Sequence, residues 1–170
     1  MTIAPTSALA ELRASAVTPD EKAFATISGR THVQVSLAAG YYEWASVTDL
    51  ERQLTRLAKL LFVARMRAYY EARSRDFEQL FTREPAPTTP LDETYVRARS
   101  ELVVEGEAAG GAVRIDAVGM ESWAVHLDRD VQQRMDEATF CDAVSRAATQ
   151  LVEQQLAAVR ALKREVYAGQ

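Results

Sequence analysis

The chain has 170 residues, a length that suits one domain or two small ones. Apolar residues make up 48% and charged residues 26%, and no apolar run approaches the ~18 residues that cross a bilayer. The single cysteine, Cys141, excludes an internal disulfide and a cysteine-based zinc cluster, and the net charge of −4 argues against indiscriminate binding to polyanions. Because the first ten residues lack the pattern of a signal peptide, we expect a cytoplasmic protein with no membrane partner.

The first half of the chain alternates apolar and polar residues in two short runs. The alternation predicts one strand over 23–27, a turn at 28–29 and a second strand over 33–37. The loop that follows, GYYEWAS, is rich in aromatic residues, which we expect to pack over the end of the sheet. Stacking of these rings on nucleic-acid bases is the alternative. Thr48 and Glu51 then have the spacing of a capping box, which predicts the start of a long helix.

The predicted helix has an apolar face and a basic face. Residues 51–75 hold seven basic and two acidic side chains. At 100° per residue the core face holds Leu50, Leu54, Leu57, Leu61, Ala64 and Ala68. The opposite face, within about 120°, holds five cations that we call the basic stripe: Arg52, Arg56, Lys59, Arg67 and Arg73. Five cations in line are enough to follow a phosphate backbone, and a solvated helix face is the alternative interpretation.

Three apolar side chains, Val63, Met66 and Tyr70, lie within or beside the basic stripe. Exposed apolar groups at such a place indicate a protein partner, or the second half of the same chain. We therefore predict a partner-binding role for these three residues.

A proline-rich stretch separates the two halves. Residues 82–90, TREPAPTTP, hold three of the five prolines, which favours an extended linker between a first unit at 1–81 and a second at 91–170. The first 90 residues carry 11 basic and 10 acidic side chains, and the remaining 80 carry 9 and 14. The acidity of the protein therefore belongs to its second half.

The second half repeats the order of the first. Alternation predicts strands over 113–117 and 123–127, and Asp136 can cap a helix that runs to about Tyr167 with a wide apolar face. A shift of 90 residues brings Gly29 onto Gly119 and the strand patterns into register. We predict an α+β fold of two tandem units, each a short helix, a small antiparallel sheet and a long helix, packed as a pseudo-dimer within one chain. Further association into a homo-oligomer stays open.

The stretch VEGEAAGGAVRI, residues 104–115, is rich in glycine and acidic residues. A phosphate loop of the Walker type would need a lysine after the last glycine and then a helix, whereas a strand pattern follows here. Strand patterns on both sides indicate that Gly106, Gly110 and Gly111 allow the positive φ angles of a hairpin or bulge.

This stretch, together with Gly119, the alternating run 123–128 and the long helix after it, resembles the YbaB/EbfC family of nucleoid-associated proteins over residues 93–167. The resemblance implies a YbaB-like unit, dimerisation and DNA binding without a catalytic residue. The first half is similar to that family in order only. Its SGRTHVQVSLAAG segment resembles the YbaB-like accessory proteins of actinobacterial ESX, or type VII, secretion.

No arrangement of side chains points to catalysis, a cofactor or a metal. His32 and His126 fall in predicted strands without a nearby histidine or cysteine, and Asp128 and Asp130 lack the pattern of a calcium loop. We therefore predict a protein that is not an enzyme and that contacts double-stranded DNA through the phosphates. The alternative is a protein-interaction or chaperone-like accessory factor, for example of type VII (ESX) secretion.

Overall fold

The structure, a computed structural model, describes residues 11–77 and 82–168. The first half forms an antiparallel sheet in the order β1-β2-β3 and two helices. These elements are β1 (Arg13–Val17), β2 (Ala23–Ser28), β3 (His32–Leu37), α1 (Tyr41–Trp44) and α2 (Val47–Phe77).

The second half begins with a helix and continues with a second antiparallel sheet, ordered β4-β5-β6, and two more helices. Its elements are α3 (Pro90–Ser100), β4 (Val103–Ala108), a 3-10 turn (Ala109–Gly111), β5 (Val113–Val118), β6 (Ser122–Leu127), α4 (Val131–Arg134) and α5 (Glu137–Tyr167). The predicted α+β class is confirmed. Within the described part of the chain, no helix is long and apolar enough to cross a membrane.

Strand β1 was not predicted from the sequence. Its inward positions are Ala14 and Ala16, which are half-buried beside an exposed arginine and an exposed valine. Alanine is less common in strands than β-branched and aromatic residues, so its alternation with polar residues was only a weak indication of a strand. β1 forms because it pairs with β2 along its whole length, from Arg13 opposite Ser28 to Val17 opposite Phe24. A short helix before this sheet would fall on residues 1–10, outside the described residues.

The capping box of α2 lies two residues before the predicted one. The Ser46 hydroxyl accepts a hydrogen bond from the Asp49 N–H at 3.0 Å, and the Asp49 carboxylate accepts one from the Ser46 N–H at 3.3 Å. Thr48 and Glu51 have the same spacing, but α2 has already begun at Val47. The Glu51 carboxylate instead accepts a hydrogen bond from the Leu127 N–H of β6. The prediction of the helix is confirmed, and that of its cap was wrong.

The glycines of the 104–115 stretch have two different roles. Gly110 and Gly111 adopt φ angles of 64° and 87° in the turn between β4 and β5, as expected for a hairpin. Gly106 instead lies within β4, where an added Cβ would stand 1.9 Å from the carbonyl oxygen of Ala147 on α5. Its assignment to the hairpin was wrong, because Gly106 is required for the close approach of strand and helix.

The proline-rich stretch is extended, except for its last residue. Residues 82–89 form no helix or strand, whereas Pro90 is the first residue of α3. Thr89 caps this helix by accepting a hydrogen bond from the Asp92 N–H at 3.1 Å. Proline is favoured at the first helical position because its missing N–H would have no partner there.

Each long helix packs against both sheets. α2 lies against β1 and β2 of its own half and against β6 of the other half, and α5 lies against β4 and β5 of its own half and against β3. The buried side chains of both helices and both sheets form one core, with Leu50, Leu54 and Leu57 from α2 and Phe140, Val144 and Leu151 from α5. This arrangement explains the width of the apolar face of α5, which meets strands of both sheets and also α3.

Candidate nucleic-acid interface

The edge of β3 is closed by two side chains of α5. The Ser145 hydroxyl accepts a hydrogen bond from the Val35 N–H at 2.9 Å, and the Thr149 hydroxyl accepts one from the Val33 N–H at 3.1 Å. Unpaired N–H groups at a sheet edge bind other chains readily unless they are covered. These two hydroxyls therefore give the outward N–H groups of β3 a hydrogen-bond partner where α5 runs beside the strand.

The edge of β4 is closed by the same helix. The side-chain carbonyls of Gln150 and Gln154 accept hydrogen bonds from the N–H groups of Glu107 and Glu105, at 2.8 and 2.6 Å. α5 therefore lies between the two sheets and covers one edge of each.

The edge of β6, beside α2, is only partly covered. Glu51 accepts a hydrogen bond from the Leu127 N–H at 3.0 Å. Outward N–H groups recur at every second residue of an edge strand, so the Val125 N–H also points toward α2. In the described part of the chain, no side chain accepts a hydrogen bond from it. On α2, Thr55 and Lys59 stand where the 90-residue shift places Ser145 and Thr149.

The space between α2 and β6 is an open groove with basic walls, which we call the basic groove. Its lining residues are Thr48, Glu51, Arg52, Thr55, Arg56, Lys59, Val125 and His126. Three cations of the basic stripe therefore line it, and all three are exposed. Cations, a threonine hydroxyl and an outward peptide N–H are the donors that bind phosphate oxygens in proteins.

The acidic groups near the basic groove are engaged with partners of their own. The Glu51 carboxylate accepts the Leu127 N–H, and Asp49 lies 3.5 Å from Arg52 in an exposed ion pair. His126 is exposed at an outward position of β6, and its Nε2 lies 2.9 Å from an Asp116 oxygen. Arg56 and Lys59 form no ion pair with a described residue. The groove therefore keeps a local excess of positive charge.

The other two cations of the basic stripe lie farther along α2. Arg67 is exposed and lines a second groove, and Arg73 is half-buried. At ~1.5 Å per residue, Arg73 is roughly 20 Å from Lys59 along the helix axis. A further cation of this segment, Arg65, points inward and donates to the Arg30 carbonyl at 2.7 Å, and burial lowers the pKa of its guanidinium.

The three predicted partner-binding residues lie together in that second groove, which we call the apolar groove. Val63, Met66 and Tyr70 line it together with Phe62 and Arg67. Val63 is 56% exposed, a large fraction for a valine on a packed helix. The structure therefore places a group of apolar side chains directly after the basic groove on α2.

The aromatic residues before α2 differ in their exposure to solvent. Tyr41 and Tyr42 are buried, as expected. Trp44 is 67% exposed, so the expectation that it packs over the sheet was wrong. The sequence did not indicate which of these three aromatic residues faces outward, because that depends on where α1 begins and how it packs against the rest of the protein.

The remaining candidates of the sequence have ordinary surroundings. His32 is exposed, and Asp128 and Asp130 both form ion pairs with Arg134. Cys141 is half-buried, and burial raises the pKa of its thiol to about 11, which disfavours the reactive thiolate at neutral pH. Among the described residues, no three metal-ligating side chains stand together.

No protein-family model, curated protein or solved structure matches the chain. The resemblance to the YbaB/EbfC family therefore rests on the residues that carry it.

Proposed function

We propose that this protein is a non-catalytic, nucleoid-associated protein of the cytoplasm that binds double-stranded DNA through its phosphates. The single observation that supports this proposal is the basic groove, where Arg52, Arg56 and Lys59 line the partly covered edge of β6. Neighbouring phosphates of one strand would meet cations spaced along the helix, and the outward Val125 N–H would serve as a further donor. Contacts of this kind position a duplex but carry little sequence information.

The tandem architecture is part of the same proposal. We infer that the two halves are YbaB-like units, the first at 1–81 and the second at 91–170, packed as a pseudo-dimer. The constant offset between their elements supports this inference, since β1 and β4 begin at 13 and 103, α1 and α4 at 41 and 131, and α2 and α5 at 47 and 137. The reciprocal packing of α2 on β6 and of α5 on β3 also supports it.

The two helix–strand contacts between the halves differ in charge, and this difference is why only one surface would bind DNA. In one half the edge of β3 is closed by neutral hydroxyls, and in the other the matching edge of β6 faces cations. A DNA duplex would therefore be bound on the α2 side only, with the α5 side serving the internal packing.

The test is a titration of a labelled random-sequence duplex, followed by fluorescence anisotropy at about 50 and 200 mM salt. The variant reverses Arg52, Arg56 and Lys59 to Glu. Its control reverses Arg146, Arg160 and Arg164 on α5, which are exposed. Each set moves the net charge from −4 to −10, because each reversal replaces one positive charge with one negative charge.

We expect the wild type and the α5 variant to bind at low salt and the α2 variant to lose binding. Equal loss in both variants would mean that net charge alone governs the interaction. Unchanged duplex binding by the α2 variant would contradict the proposal.

A second candidate function is supported by the apolar groove. We propose as the alternative that Val63, Met66 and Tyr70 dock a protein partner, in a chaperone-like or secretion-accessory role. A groove lined by several half-exposed apolar side chains is typical of protein-binding surfaces. Among the described residues, it lies on α2 directly after the basic groove.

This alternative predicts a stoichiometric partner in a pull-down from the native cytosol. Val63→Asp with Met66→Asp would abolish capture. Val103→Asp, at a site that is 64% exposed on β4, is the matched control and would retain it. Recovery of no partner by the wild type would count against the alternative.

A further inference from the structure

A cavity of about 60 Å³ lies between the two halves of the chain. Its walls come from β2, β3 and α2 of the first half, and from β5, β6, the turn between them and α5 of the second. Among the described residues that line it, all but Arg65 have apolar or aromatic side chains. An apolar cavity of ~150 Å³ holds a benzene ring. The smaller space here therefore suits a short aliphatic group.

The cavity is formed by matching positions of the two halves. Most of its lining residues form pairs under the 90-residue shift, as Leu54 does with Val144. Ala58 on α2 and Ala148 on α5 are another such pair, and these two small side chains leave space that larger ones would fill. Arg65 departs from the pattern, since the shift places it on a glutamine that does not line the cavity.

Arg65 is the one charged residue in this lining. Its Nη2 donates a hydrogen bond to the carbonyl of Arg30, in the turn between β2 and β3, at 2.7 Å. With the residues that the structure describes, its guanidinium forms no ion pair and no other hydrogen bond. A guanidinium has five N–H donors, so most of those on Arg65 remain available to a ligand.

A half-buried charge beside an apolar cavity favours an anion as its partner. Burial of a charge without a counter-ion is costly, and burial here lowers the pKa of the Arg65 guanidinium. A carboxylate would offset this cost, because arginine binds it through two parallel hydrogen bonds. A phosphate dianion suits the site less well, since Arg65 supplies a single positive charge and apolar walls would not stabilise the second negative charge.

The lining differs in exposure from one residue to another. Arg65 and Phe62 are one turn apart on α2, and the Phe62 ring centroid lies 6.2 Å from that of Trp123. These three side chains are half-buried, whereas Ile27 and Leu54 are buried. A ligand with one charged end and one apolar end fits this difference, with the charged end at Arg65 and the apolar end among the buried side chains.

We propose that the cavity between the two halves binds a short aliphatic carboxylate, with its carboxylate on the Arg65 guanidinium and its hydrocarbon end among the apolar side chains. Both halves of the chain supply walls of the site, so neither half would form it alone. The proposal does not depend on DNA binding, because Arg65 does not line the basic groove.

The test is a calorimetric titration of the full chain with butyrate, compared with butyramide and acetate. Butyramide has the same shape as butyrate without the charge, and it should bind about 10- to 150-fold more weakly. Acetate lacks two methylene groups, and it should bind about tenfold more weakly. Equal affinity for acetate and butyrate would show that the anion does not enter the cavity, and would overturn the proposal.

Three variants locate the site. Arg65→Gln should weaken butyrate binding by about 10- to 150-fold and leave butyramide binding unchanged. Arg160→Gln, which removes an exposed charge on α5, is the control and should bind butyrate as the wild type does. Ala148→Leu should abolish binding of both ligands because it fills the cavity, with circular dichroism as the check of folding. If Ala148→Leu does not fold, the smaller change Ala58→Val should weaken binding in its place.

Intrinsic fluorescence gives an independent measurement. The protein has two tryptophans, and in Trp44→Phe only Trp123, which lines the cavity, would emit. Trp44 is 67% exposed, so this replacement should leave the fold intact. Butyrate should change the emission of Trp44→Phe and not that of Trp44→Phe with Arg65→Gln. No binding of butyrate by the wild type, or equal binding by Arg65→Gln, would overturn the proposal.

Discussion

The hydroxyl of Tyr42 donates a hydrogen bond to the backbone carbonyl of Met135 at 2.9 Å, and this bond joins the two halves of the chain. The centroids of the Tyr42 and Phe140 rings lie 4.8 Å apart, and Phe140 is the first buried residue of α5. In return, the Gln132 side-chain amide donates to the carbonyls of Tyr42 and Ala45, both at 2.7 Å. The short helices α1 and α4, which precede the two long helices, are therefore held to each other.

Tyr42→Phe should lower the free energy of unfolding by about 1–2 kcal/mol, because it leaves a partly buried carbonyl without its donor. Urea denaturation followed by circular dichroism would measure the change. Tyr69→Phe, on a half-buried ring of α2, is the control and should have little effect. Equal stability of wild type and Tyr42→Phe would contradict an energetic role for this contact between the halves.

The stability of the protein should fall at alkaline pH in a way that depends on Tyr42. Burial raises the pKa of Tyr42 from 10.0 to about 12, since the charged phenolate is poorly solvated there. A folded-state pKa above that of the unfolded chain contributes stability that is complete below pH 10 and is lost between pH 10 and 12. Denaturation midpoints across this window should decline more steeply for the wild type than for Tyr42→Phe. Parallel declines would refute the assignment.

Gly106→Ala should be far more destabilising than Gly110→Ala. A Cβ at Gly106 would meet the Ala147 carbonyl at 1.9 Å, so β4 and α5 would have to separate. Gly110 has open space around it and needs only its positive φ angle, which costs alanine roughly 1–2 kcal/mol. We expect Gly106→Ala to exceed that cost clearly, or to fail to fold, in a thermal denaturation series. A smaller effect at Gly106 than at Gly110 would show that the helix can move away freely.

If DNA is bound in the basic groove, the salt dependence of affinity should report each cation separately. Arg52→Gln, Arg56→Gln and Lys59→Gln should each make the log–log slope shallower by about 0.9, because each removes one phosphate contact. Duplex titrations over a range of salt concentrations would measure the slopes. Arg164→Gln, on the exposed end of α5, should leave the slope unchanged, and an equal effect there would argue against a localised site.

Local pattern was sufficient for most of the secondary structure. The strands β2, β3, β5 and β6 and the helices α2 and α5 follow from periods of two and of about 3.6 residues in the sequence. Asp136 was also recognisable as the cap of α5, and its carboxylate accepts a hydrogen bond from the Thr139 N–H at 2.8 Å. These features depend on neighbours in sequence, which is why they can be predicted from it.

Features that depend on distant neighbours could not be predicted. β1 exists because β2 pairs with it, and Gly106 matters because α5 passes against it. Likewise, Glu51 stood at a capping position by spacing but bonds to β6, 76 residues away. Sequence spacing places two residues on one helix face, but it does not tell which strand that face will meet.

The sequence by itself determined the elements, their order and the chemical character of the α2 surface, because helix and strand periods and side-chain charge are local properties. Only the tertiary structure decided that Arg52, Arg56 and Lys59 line a groove beside the edge of β6, that Arg65 turns inward, and that Trp44 stays exposed beside buried Tyr41 and Tyr42. The physical reason is that exposure and hydrogen-bond partners are set by packing between elements that are far apart in the chain.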